Sequence, residues 1–443
     1  MTHPLREHRT VAIVSVGDEL TLGQTLDTNG RWLAARLFDL GIIPIEHVTV
    51  PDDASLHEAA FRRLASSADL IVCTGGLGPT ADDLTRQALA RASGDELVED
   101  PIALAQVEAF YAARGREMPA LNRVQALRPS RGVCLANLNG TAPGLHATLP
   151  GGVDVFCLPG PASEMHPMFQ AQVLPRLRPP AGRLVRTRVL HCIGIGESDL
   201  ANRLGPLMNR TSNPLVGTTA SGGVVSCRLR YEGPADEDAC TRALEDTEAQ
   251  VRRIAGEFIF GAGDDTLAGA ILRALRSRAE TVGTIESCTG GLLGGMLTDE
   301  PGSSAAYVGG LVTYTNALKS ALAGVDASLW AEGGPGAVSA ECVRAMATGG
   351  RERLGATHAL AISGIAGPGG AVPASHGRPA KPVGTVFIAR ASADGSLDVR
   401  RFSIPGDRAQ VRRWATTNAL AMLRQHLAGL SPTRLLREVP LDA

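Results

Sequence analysis

The chain has 443 residues, 44% of them hydrophobic, with 51 glycines and 27 prolines, which suits a globular α/β protein of two to four domains. Its net charge is −2 and its aromatic content is 4%, so neither a polyanion-binding surface nor a base-stacking platform is indicated, and we do not expect nucleic acid as a partner. The eight cysteines form no C-x-x-C pair, the ten histidines show no metal-ligand spacing, and neither an 18-residue apolar run nor a signal-peptide core occurs. We therefore expect a reduced, cytoplasmic protein without a structural zinc or a membrane span.

The first third of the chain alternates strand and helix patterns. Strands are predicted over residues 11–16, 42–50, 70–74 and 153–158, and helices over 28–40, 54–67 and about 162–177. Buried apolar runs that alternate with helices predict a doubly wound, mostly parallel sheet covered on both faces.

A break at Pro179-Pro-Ala-Gly182 separates a small α+β region, in which we predict strands over 184–192 and 223–231 and helices over 197–209 and 236–256. In the last region we predict helices over 265–278, 292–298 and 410–427, and strands over 281–285, 307–314, 359–362 and 383–389. The predicted domains are therefore residues 1–178, an α+β middle domain at 179–260 and an α/β domain at 261–430, followed by a tail at 431–443.

Lysine is scarce, because only Lys319 and Lys381 are lysines among 43 basic residues. Arginine does not lose its proton in a protein, whereas a lysine can be tuned to a neutral base. With Asn316 as N-cap, Lys319 lies in the first turn of a helix, where the helix dipole and burial both lower a lysine pKa. The alternative is that both are solvated lysines without a role. For Lys381 we predict no chemistry beyond a contact with substrate.

A glycine-rich turn, Glu286-Ser-Cys-Thr-Gly-Gly291, joins a predicted strand to a helix. Backbone N–H groups and a helix N-terminus at such a turn stabilise a phosphate or a developing oxyanion. Ser287 is the predicted nucleophile if a base is near. Cys288 is the rival, but a catalytic thiol usually pairs with a histidine, which no motif here supplies. Tyr314 either relays a proton or orients the lysine, or it is a buried tyrosine with a satisfied hydroxyl.

Two further glycine loops follow strands in this region. Ser363-Gly-Ile-Ala-Gly-Pro-Gly-Gly370 can cradle an anionic or carbonyl group, and Pro405-Gly-Asp-Arg408 offers a guanidinium to a phosphate. Either loop alone is weak support, but together with a Ser/Lys pair they indicate one site.

The N-terminal region has its own loops at the carboxyl ends of predicted parallel strands, where doubly wound sheets bind ligands. They are Gly17-Asp-Glu-Leu20 and Gly75-Gly-Leu-Gly-Pro-Thr80, with Asp82-Asp83 opening the next helix. Glycine loops with carboxylates suit a phosphate ligand and a divalent cation, so we predict a metal site at Asp18, Glu19, Asp82 and Asp83. The alternative for Asp82 and Asp83 is stabilisation of a helix start. Asn139-Gly-Thr-Ala-Pro-Gly144 and Pro159-Gly-Pro161 with Glu164 are expected to close the same cleft.

The C-terminal motifs together resemble the nicotinamide-nucleotide amidohydrolase domain of the CinA (competence/damage-inducible) family. They are Glu286-Ser-Cys-Thr-Gly-Gly291, Pro301-Gly-Ser-Ser304, Val312-Thr-Tyr-Thr-Asn316 with Lys319, Gly336-Ala-Val-Ser339, Ser363-Gly-Ile-Ala-Gly-Pro368, Lys381-Pro-Val-Gly-Thr385 and Pro405-Gly-Asp-Arg408. Two positions depart from the family pattern. Ile285 replaces a small residue and is expected to crowd the site, whereas Ser363 replaces threonine and keeps the hydroxyl.

This resemblance implies hydrolysis of nicotinamide mononucleotide to nicotinate mononucleotide and ammonia without a cofactor. Ser287 would be the nucleophile, Lys319 the base and Tyr314 an assistant. The substrate-binding positions expected in this domain are Glu286, Thr289, Gly290, Gly291, Ser303, Gly309, Gly310, Ser363, Gly364, Gly367 and Arg408.

The N-terminal motifs, with Thr25-Leu-Asp-Thr-Asn29, resemble the molybdopterin-binding-type domain of full-length CinA-like proteins. This implies hydrolysis of ADP-ribose to AMP and ribose 5-phosphate with Mg²⁺, Mn²⁺ or Co²⁺. The ligand-binding positions would be Thr28, Asn29, Gly75, Gly76, Gly78, Thr80, Asn139, Gly140, Gly160 and Glu164.

The middle region resembles a KH-type unit without a clear G-x-x-G clamp, so we expect a structural or dimer-forming role rather than RNA binding, and a homodimer. A second class of function stays open. The chain would then be a nucleotide-sensing or competence- and recombination-associated binding protein, with a non-catalytic N-terminal domain.

Overall fold

The computed structural model describes residues 6–373 and 380–441. Residues 1–5, on which the expectation about a signal peptide partly rests, and the last two residues of the predicted tail lie outside the described residues. The chain divides into two compact units, Met1–Arg186 with Glu232–Cys240, and Thr187–Tyr231 with Thr241–Ala443. Most of the predicted middle domain thus shares a unit with the C-terminal region, and the predicted boundaries stay predictions. Within the described ranges, no helix is long and apolar enough to cross a bilayer.

The first unit is built on a six-stranded sheet with the order β2-β1-β3-β8-β7-β6. The first four strands are parallel, and β7 and β6 are antiparallel additions at one edge. Its elements are β1 Thr10–Val16, α1 Asp18–Thr21, α2 Thr28–Asp39, β2 Ile43–Val50, α3 Ala54–Leu64, β3 Leu70–Thr74, α4 Thr85–Ser93, β4 Leu97–Glu99, α5 Pro101–Ala112, β5 Leu127–Pro129, β6 Val133–Leu135, β7 Gly144–Leu149, β8 Val153–Leu158 and α6 Ala162–Met168.

Alternation along β1 explains why both faces of this sheet are covered. Val11 and Ile13 join one apolar layer with Leu33 of α2, whereas Ala12 and Val14 join the opposite layer. Because successive side chains of a strand point to opposite faces, an apolar run buries both faces only when each is covered. The predicted doubly wound, mostly parallel sheet is confirmed.

Some helix ends in this unit differ from the prediction. The helix expected over 162–177 stops at Met168 and continues as a π-helical turn, Phe169–Val173, and a 3-10 turn, Leu174–Arg176. Pro167 lies inside it, and proline removes a backbone donor from the helical ladder. The helix expected to open at Asp82 begins at Thr85.

The middle region forms a four-stranded sheet with the order β10-β11-β9-β12. The helix predicted to reach residue 209 ends at Leu204, because Gly205 takes a left-handed φ of 45° and a 3-10 turn follows. The strand β10 was not predicted, since its polar half carries no apolar periodicity. The elements are β9 Arg183–Ile193, α7 Glu197–Leu204, β10 Leu215–Ser221, β11 Val224–Pro234, α8 Glu237–Ala255 and β12 Ile259–Ala262.

The C-terminal region carries a second six-stranded sheet with the order β14-β13-β15-β16-β17-β18, in which β14, β13 and β15 are parallel. Separate apolar cores lie on its two faces, one with α9, α10 and α13 and the other with α12. Its elements are α9 Leu267–Ser277, β13 Val282–Glu286, α10 Leu292–Thr298, β14 Tyr307–Val312, α11 Asn316–Ala323, α12 Ala340–Leu354, β15 His358–Gly364, β16 Thr385–Ser392, β17 Leu397–Ser403, α13 Arg408–Leu427 and β18 Glu438–Val439.

Candidate active site

Ser287 and Lys319 meet in the C-terminal region although 32 residues separate them. Ser287 directly follows β13, Lys319 lies on α11, and the lysine Nζ is 3.0 Å from the serine Oγ. Both side chains are buried, with relative exposures of 8% and 1%. The predicted pair is therefore within hydrogen-bonding distance and shielded from bulk water.

Two backbone carbonyls position the Lys319 amino group. Nζ donates to the oxygens of Thr313 at 2.8 Å and Tyr314 at 3.3 Å. A neutral amine has two N–H donors and one lone pair, so the two carbonyls satisfy the donors and leave the lone pair for the Ser287 hydroxyl proton. Burial lowers the pKa of Lys319 from 10.5, which favours this neutral form.

The start of α11 differs by one residue from the prediction. Thr315, not Asn316, is the N-cap, and its hydroxyl accepts from the backbone N–H of Leu318. Lys319 is the fourth helical residue, and the cause resolved for its lowered pKa is burial.

The rival nucleophile, Cys288, is a core residue. It is 6% exposed and packs in the apolar layer that contains Leu293. Burial raises the pKa of the Cys288 thiol to about 11, although the charges of Arg408 and Arg412 act in the opposite direction. A nucleophilic cysteine needs the thiolate, so the environment of Cys288 opposes that role.

Glu286, which we expected to bind substrate, instead closes the loop around the serine. Its buried carboxylate accepts from the backbone N–H groups of Gly291, Leu293 and Gly294 at 2.8–3.0 Å. The amino end of α10 is thus occupied by an internal carboxylate, and its dipole is already compensated. These three amides donate to Glu286, so the prediction that they bind an anionic ligand is wrong.

Thr289, in the same loop, keeps an unused polar group. The side chain is fully buried, and in the described part of the chain its hydroxyl has no hydrogen-bond partner. A buried hydroxyl without a partner is unfavourable, so a bound polar group would stabilise it. This supports the prediction that Thr289 contacts a ligand.

Tyr314 does not contact the lysine through its ring in the predicted way. Its side chain is 57% exposed, its hydroxyl accepts from Arg408 Nη2 at 3.1 Å, and its backbone carbonyl accepts from Lys319. Arg408 also donates to the Gly367 carbonyl at 2.9 Å. The tyrosine hydroxyl therefore contacts Arg408 rather than Lys319. The alternative prediction of a buried tyrosine is wrong.

Arg412 was missed by the sequence analysis. It lies one helical turn after Arg408 on α13, and its Nη2 donates to the Thr289 carbonyl at 2.7 Å. Two arginines of one helix thus lie close to the serine loop. The i, i+4 spacing after the Pro405-Gly-Asp-Arg408 motif is the sequence signal that points to it.

Most of the other predicted substrate-binding positions in this region have a structural role in the loops and strands. The Ser363 hydroxyl donates to the Ala337 carbonyl at 2.6 Å. Gly364 and Gly310 lie so close to Val386 and Thr284 that a Cβ would be 2.8 Å and 2.2 Å away. Positive φ angles are found at Gly290, Gly291, Gly309 and Gly367, and the half-buried Ser303 opens a 3-10 turn.

Two other expectations in this region are corrected or narrowed. Ile285 does not crowd the serine, because its side chain is fully buried against Gly350 of α12. The Lys381 amino group donates to the Pro335 carbonyl at 2.7 Å, which gives the second lysine a structural contact.

A cleft of about 340 Å³ lies in the first unit at the carboxyl ends of β1, β3 and β8. Gly75 has a φ of 101°, and a Cβ there would be 2.4 Å from the Val16 carbonyl, so only glycine allows this approach. The cleft brings together nine of the predicted positions: Glu19, Gly75, Gly76, Gly78, Thr80, Asp82, Asp83, Gly160 and Glu164.

Other predicted N-terminal positions do not line the cleft but support it. Asn29 Nδ2 donates to the Gly160 carbonyl at 2.6 Å, and Asn139 Nδ2 donates to the Ser163 carbonyl at 3.3 Å. Gly140 leaves room for the Glu164 carboxylate, which would lie 2.0 Å from a Cβ there. Thr28 is the first residue of α2.

The four predicted metal ligands do not form a ligand set. The Asp83 carboxylate accepts from the N–H groups of Gly78 and Thr80 and from the Thr80 hydroxyl, so it braces the glycine loop. Asp18 and Asp52 each accept from the backbone N–H of the other at 3.1 Å. Across residues 6–373 and 380–441, no group of three or more His, Cys, Asp or Glu side chains is arranged to hold a metal ion. The divalent cation at this cleft therefore stays a prediction.

Two charged residues at this cleft were missed. Burial raises the pKa of Asp52, and the charges of Asp18, Asp82 and Glu19 act in the same direction. Arg86 is fully buried and donates to the carbonyls of Leu77 and Gly78, and burial lowers its pKa to about 10. Arg86 and Arg91 both lie on α4, and no sequence pattern distinguishes the arginine that folding buries.

Three known protein domains match successive regions of this chain. Residues 12–179 match a probable molybdopterin binding domain, residues 187–261 the damage-inducible protein CinA KH domain, and residues 264–427 the CinA C-terminal domain. A putative competence-damage inducible protein from Symbiobacterium thermophilum is 42% identical over 429 residues, which cover 94% of this chain and 98% of that protein. The chain belongs to the CinA family.

One further relative also matches this chain over nearly its full length. A CinA-like protein of Synechococcus sp. strain RCC307 is 41% identical, with 94% of this chain and 98% of that protein covered. Two solved structures are shorter. CinA from Thermoplasma acidophilum is 32% identical with a TM-score of 0.36 and covers 38% of this chain and 98% of its own. The competence/damage inducible protein from Agrobacterium tumefaciens is 37% identical with a TM-score of 0.34 and covers 37% and 93%.

Proposed function

We propose that the C-terminal region is a nicotinamide-nucleotide amidohydrolase that converts nicotinamide mononucleotide to nicotinate mononucleotide and ammonia. The observation that carries the proposal is the 3.0 Å contact between a buried lysine amine and the serine hydroxyl. A serine hydroxyl is a weak nucleophile at neutral pH and needs an adjacent base, which Lys319 can supply in its neutral form.

The chemistry takes two steps. The Ser287 Oγ attacks the carboxamide carbon while Lys319 accepts the hydroxyl proton. The protonated amine then donates that proton to the departing nitrogen, which leaves as ammonia and forms a serine ester. Water attacks the ester with Lys319 again as base, which releases the nicotinate carboxylic acid and restores the serine.

Binding of the nucleotide phosphate is proposed at the arginines of α13. Arg408 is exposed and Arg412 is half-buried, and both charges act on Cys288 in the serine loop. Guanidinium groups bind phosphate through paired hydrogen bonds. The Thr289 hydroxyl, which lacks a partner in the described part of the chain, is positioned to bind a polar group of the substrate.

The test is ammonia release from nicotinamide mononucleotide by the purified full chain and four variants. We expect Ser287→Ala and Lys319→Arg each to lower kcat by about 10³-fold, because arginine keeps the charge but cannot act as base. Lys381→Arg is the matched control, since it makes the same exchange at the other lysine, and its kcat should stay within about twofold. Unchanged ammonia release in Ser287→Ala and Lys319→Arg contradicts the Ser/Lys mechanism.

Cys288→Ser tests the rival nucleophile in the same assay. The side chain is buried and its thiol stays protonated near neutral pH, so ammonia release should fall by no more than about threefold. A loss as large as that of Ser287→Ala would move the nucleophile to the cysteine. If the wild type releases no ammonia, the deamidase proposal is wrong, and the nucleotide-sensing or recombination-associated binding role replaces it.

For the N-terminal region we propose hydrolysis of ADP-ribose to AMP and ribose 5-phosphate as a second activity. The cleft of about 340 Å³ beneath the glycine loop supports it, because this edge of a doubly wound sheet is where phosphate ligands bind. No step is assigned to a metal, since the carboxylates do not form a ligand set. AMP formation with EDTA or with added Mg²⁺, Mn²⁺ or Co²⁺, in wild type and Asp82→Ala, tests both the activity and its metal dependence.

A further inference from the structure

A second concave site lies in the middle region, away from the serine and its substrate groups. It is a pocket of about 270 Å³ between β10, β11 and the 3-10 turn after α7. Three arginines line it, Arg210 after that turn and Arg228 and Arg230 on β11. Neither the deamidase chemistry nor the N-terminal cleft uses these residues.

The β-strand alternation brings two of the arginines together. Cys227, Leu229 and Tyr231 of β11 are buried, so Arg228 and Arg230, which alternate with them, project from the opposite face. The register places Arg228 opposite Gly217 and Arg230 opposite Leu215 on β10.

Gly217 keeps the floor of the pocket open. A Cβ built at this position meets nothing within 4 Å, and its φ lies outside the left-handed region. The glycine is therefore not required by the backbone or by packing. What its missing side chain provides is space beside Arg228.

The side chains that line this pocket are either basic or uncharged. None of its eight lining residues is acidic. The nearby Glu197 carboxylate accepts from the lining Thr218 hydroxyl at 3.3 Å. Guanidinium groups form charge-assisted hydrogen bonds with phosphate oxygens, so this lining favours an anionic ligand.

We propose that this pocket binds a small phosphate-bearing ligand of the size of pyrophosphate or a nucleoside monophosphate. The arginines would hold the phosphate oxygens, and Met208 and Leu215 supply an apolar wall for the rest of the ligand. Its volume suits a small molecule. No aromatic side chain lines it, so a stacking platform for single-stranded nucleic acid is not formed.

The test is calorimetric titration of the full chain with inorganic phosphate, pyrophosphate, AMP and a single-stranded RNA octamer. Arg228→Ala and Gly217→Leu should each weaken pyrophosphate or AMP binding by about tenfold or more, the first by removing a charge-assisted hydrogen bond and the second by filling the space. Gly217→Leu leaves every charge in place, so a shared loss locates the ligand in the pocket.

The matched control is Arg353→Ala, which removes one exposed arginine from the end of α12 and should keep affinity within about twofold. Circular dichroism and ammonia release check that each variant is folded, and their retention separates this site from the deamidase. Equal affinity in wild type, Arg228→Ala and Gly217→Leu overturns the proposal. So does arginine-dependent binding of the RNA octamer that is tighter than binding of both small anions.

Discussion

At the scale of single residues, the candidate site depends on how Lys319 is buried. Its Nζ contacts two carbonyls and one hydroxyl, and its pKa is lowered by burial. Carbonyl oxygens can accept from an amine or an ammonium group, whereas only the neutral amine can take the serine proton. The pH therefore decides whether the pair reacts.

We expect kcat for ammonia release to rise with pH and reach a plateau below pH 10.5. The neutral amine is the active form, so activity increases about tenfold per pH unit below the lowered pKa of Lys319 and levels off above it. A kcat profile from about pH 6 to about pH 10 measures this. A rate that falls across this range would show that the protonated lysine is the required form.

Tyr314 should affect substrate binding more than chemistry. Its hydroxyl accepts from Arg408, one of the proposed phosphate ligands, and only its backbone carbonyl contacts Lys319. Tyr314→Phe is expected to raise KM for nicotinamide mononucleotide about three- to tenfold, the cost of one hydrogen bond, with kcat within about twofold. A large fall in kcat at unchanged KM would give the tyrosine hydroxyl the proton-relay role instead.

At the scale of elements, the serine loop is held by a carboxylate from the strand that precedes it. Glu286 ends β13 and accepts from three amides at the start of α10, so one side chain joins the strand, the loop and the helix. This closure sets the direction in which Ser287 projects. The contact spans five to eight residues along the chain, so it forms locally once the strand is buried.

Glu286→Gln should loosen this loop without changing its size. The amide keeps one carbonyl oxygen and places an NH₂ group against backbone donors, which costs about 1–3 kcal/mol for the group left unsatisfied. Hydrogen exchange at the amides of Gly291, Leu293 and Gly294 should accelerate, and ammonia release should fall. Glu352→Gln, an exposed change on α12, is the control. Unchanged protection in Glu286→Gln would contradict the cap.

At the scale of the whole molecule, the two candidate sites belong to different compact units. Ser287 and Lys319 lie in the unit that contains residues 241–443, and the cleft lies in the unit that contains residues 1–186. The C-terminal site combines the loop after β13 with helix α11, whereas the cleft lies at the carboxyl ends of β1, β3 and β8. The two proposed activities should therefore be separable by substitution.

Gly76→Ala and Ser287→Ala should each abolish only one activity. A Cβ at Gly76, whose φ is 65°, would lie 2.3 Å from the Thr85 hydroxyl, so the glycine loop must shift. ADP-ribose hydrolysis should be lost in this variant with ammonia release within about twofold, and the reverse is expected for Ser287→Ala. Parallel assays of AMP and ammonia in each variant test this prediction. Loss of both activities in one variant would contradict two independent sites.

The sequence by itself determined the doubly wound N-terminal sheet, most of the element positions, and the Ser287 and Lys319 pair. Apolar periodicity is local, the scarcity of lysine made Lys319 and Lys381 conspicuous, and the motif around Lys319 distinguished it from Lys381. Only the tertiary structure decided which polar groups were left for a ligand. Glu286 and Asp83 carry the residue types of a binding site, but backbone amides brought close by folding use their carboxylates. Arg86, Asp52 and Arg412 acquire their roles through burial and long-range contacts, which no local pattern records.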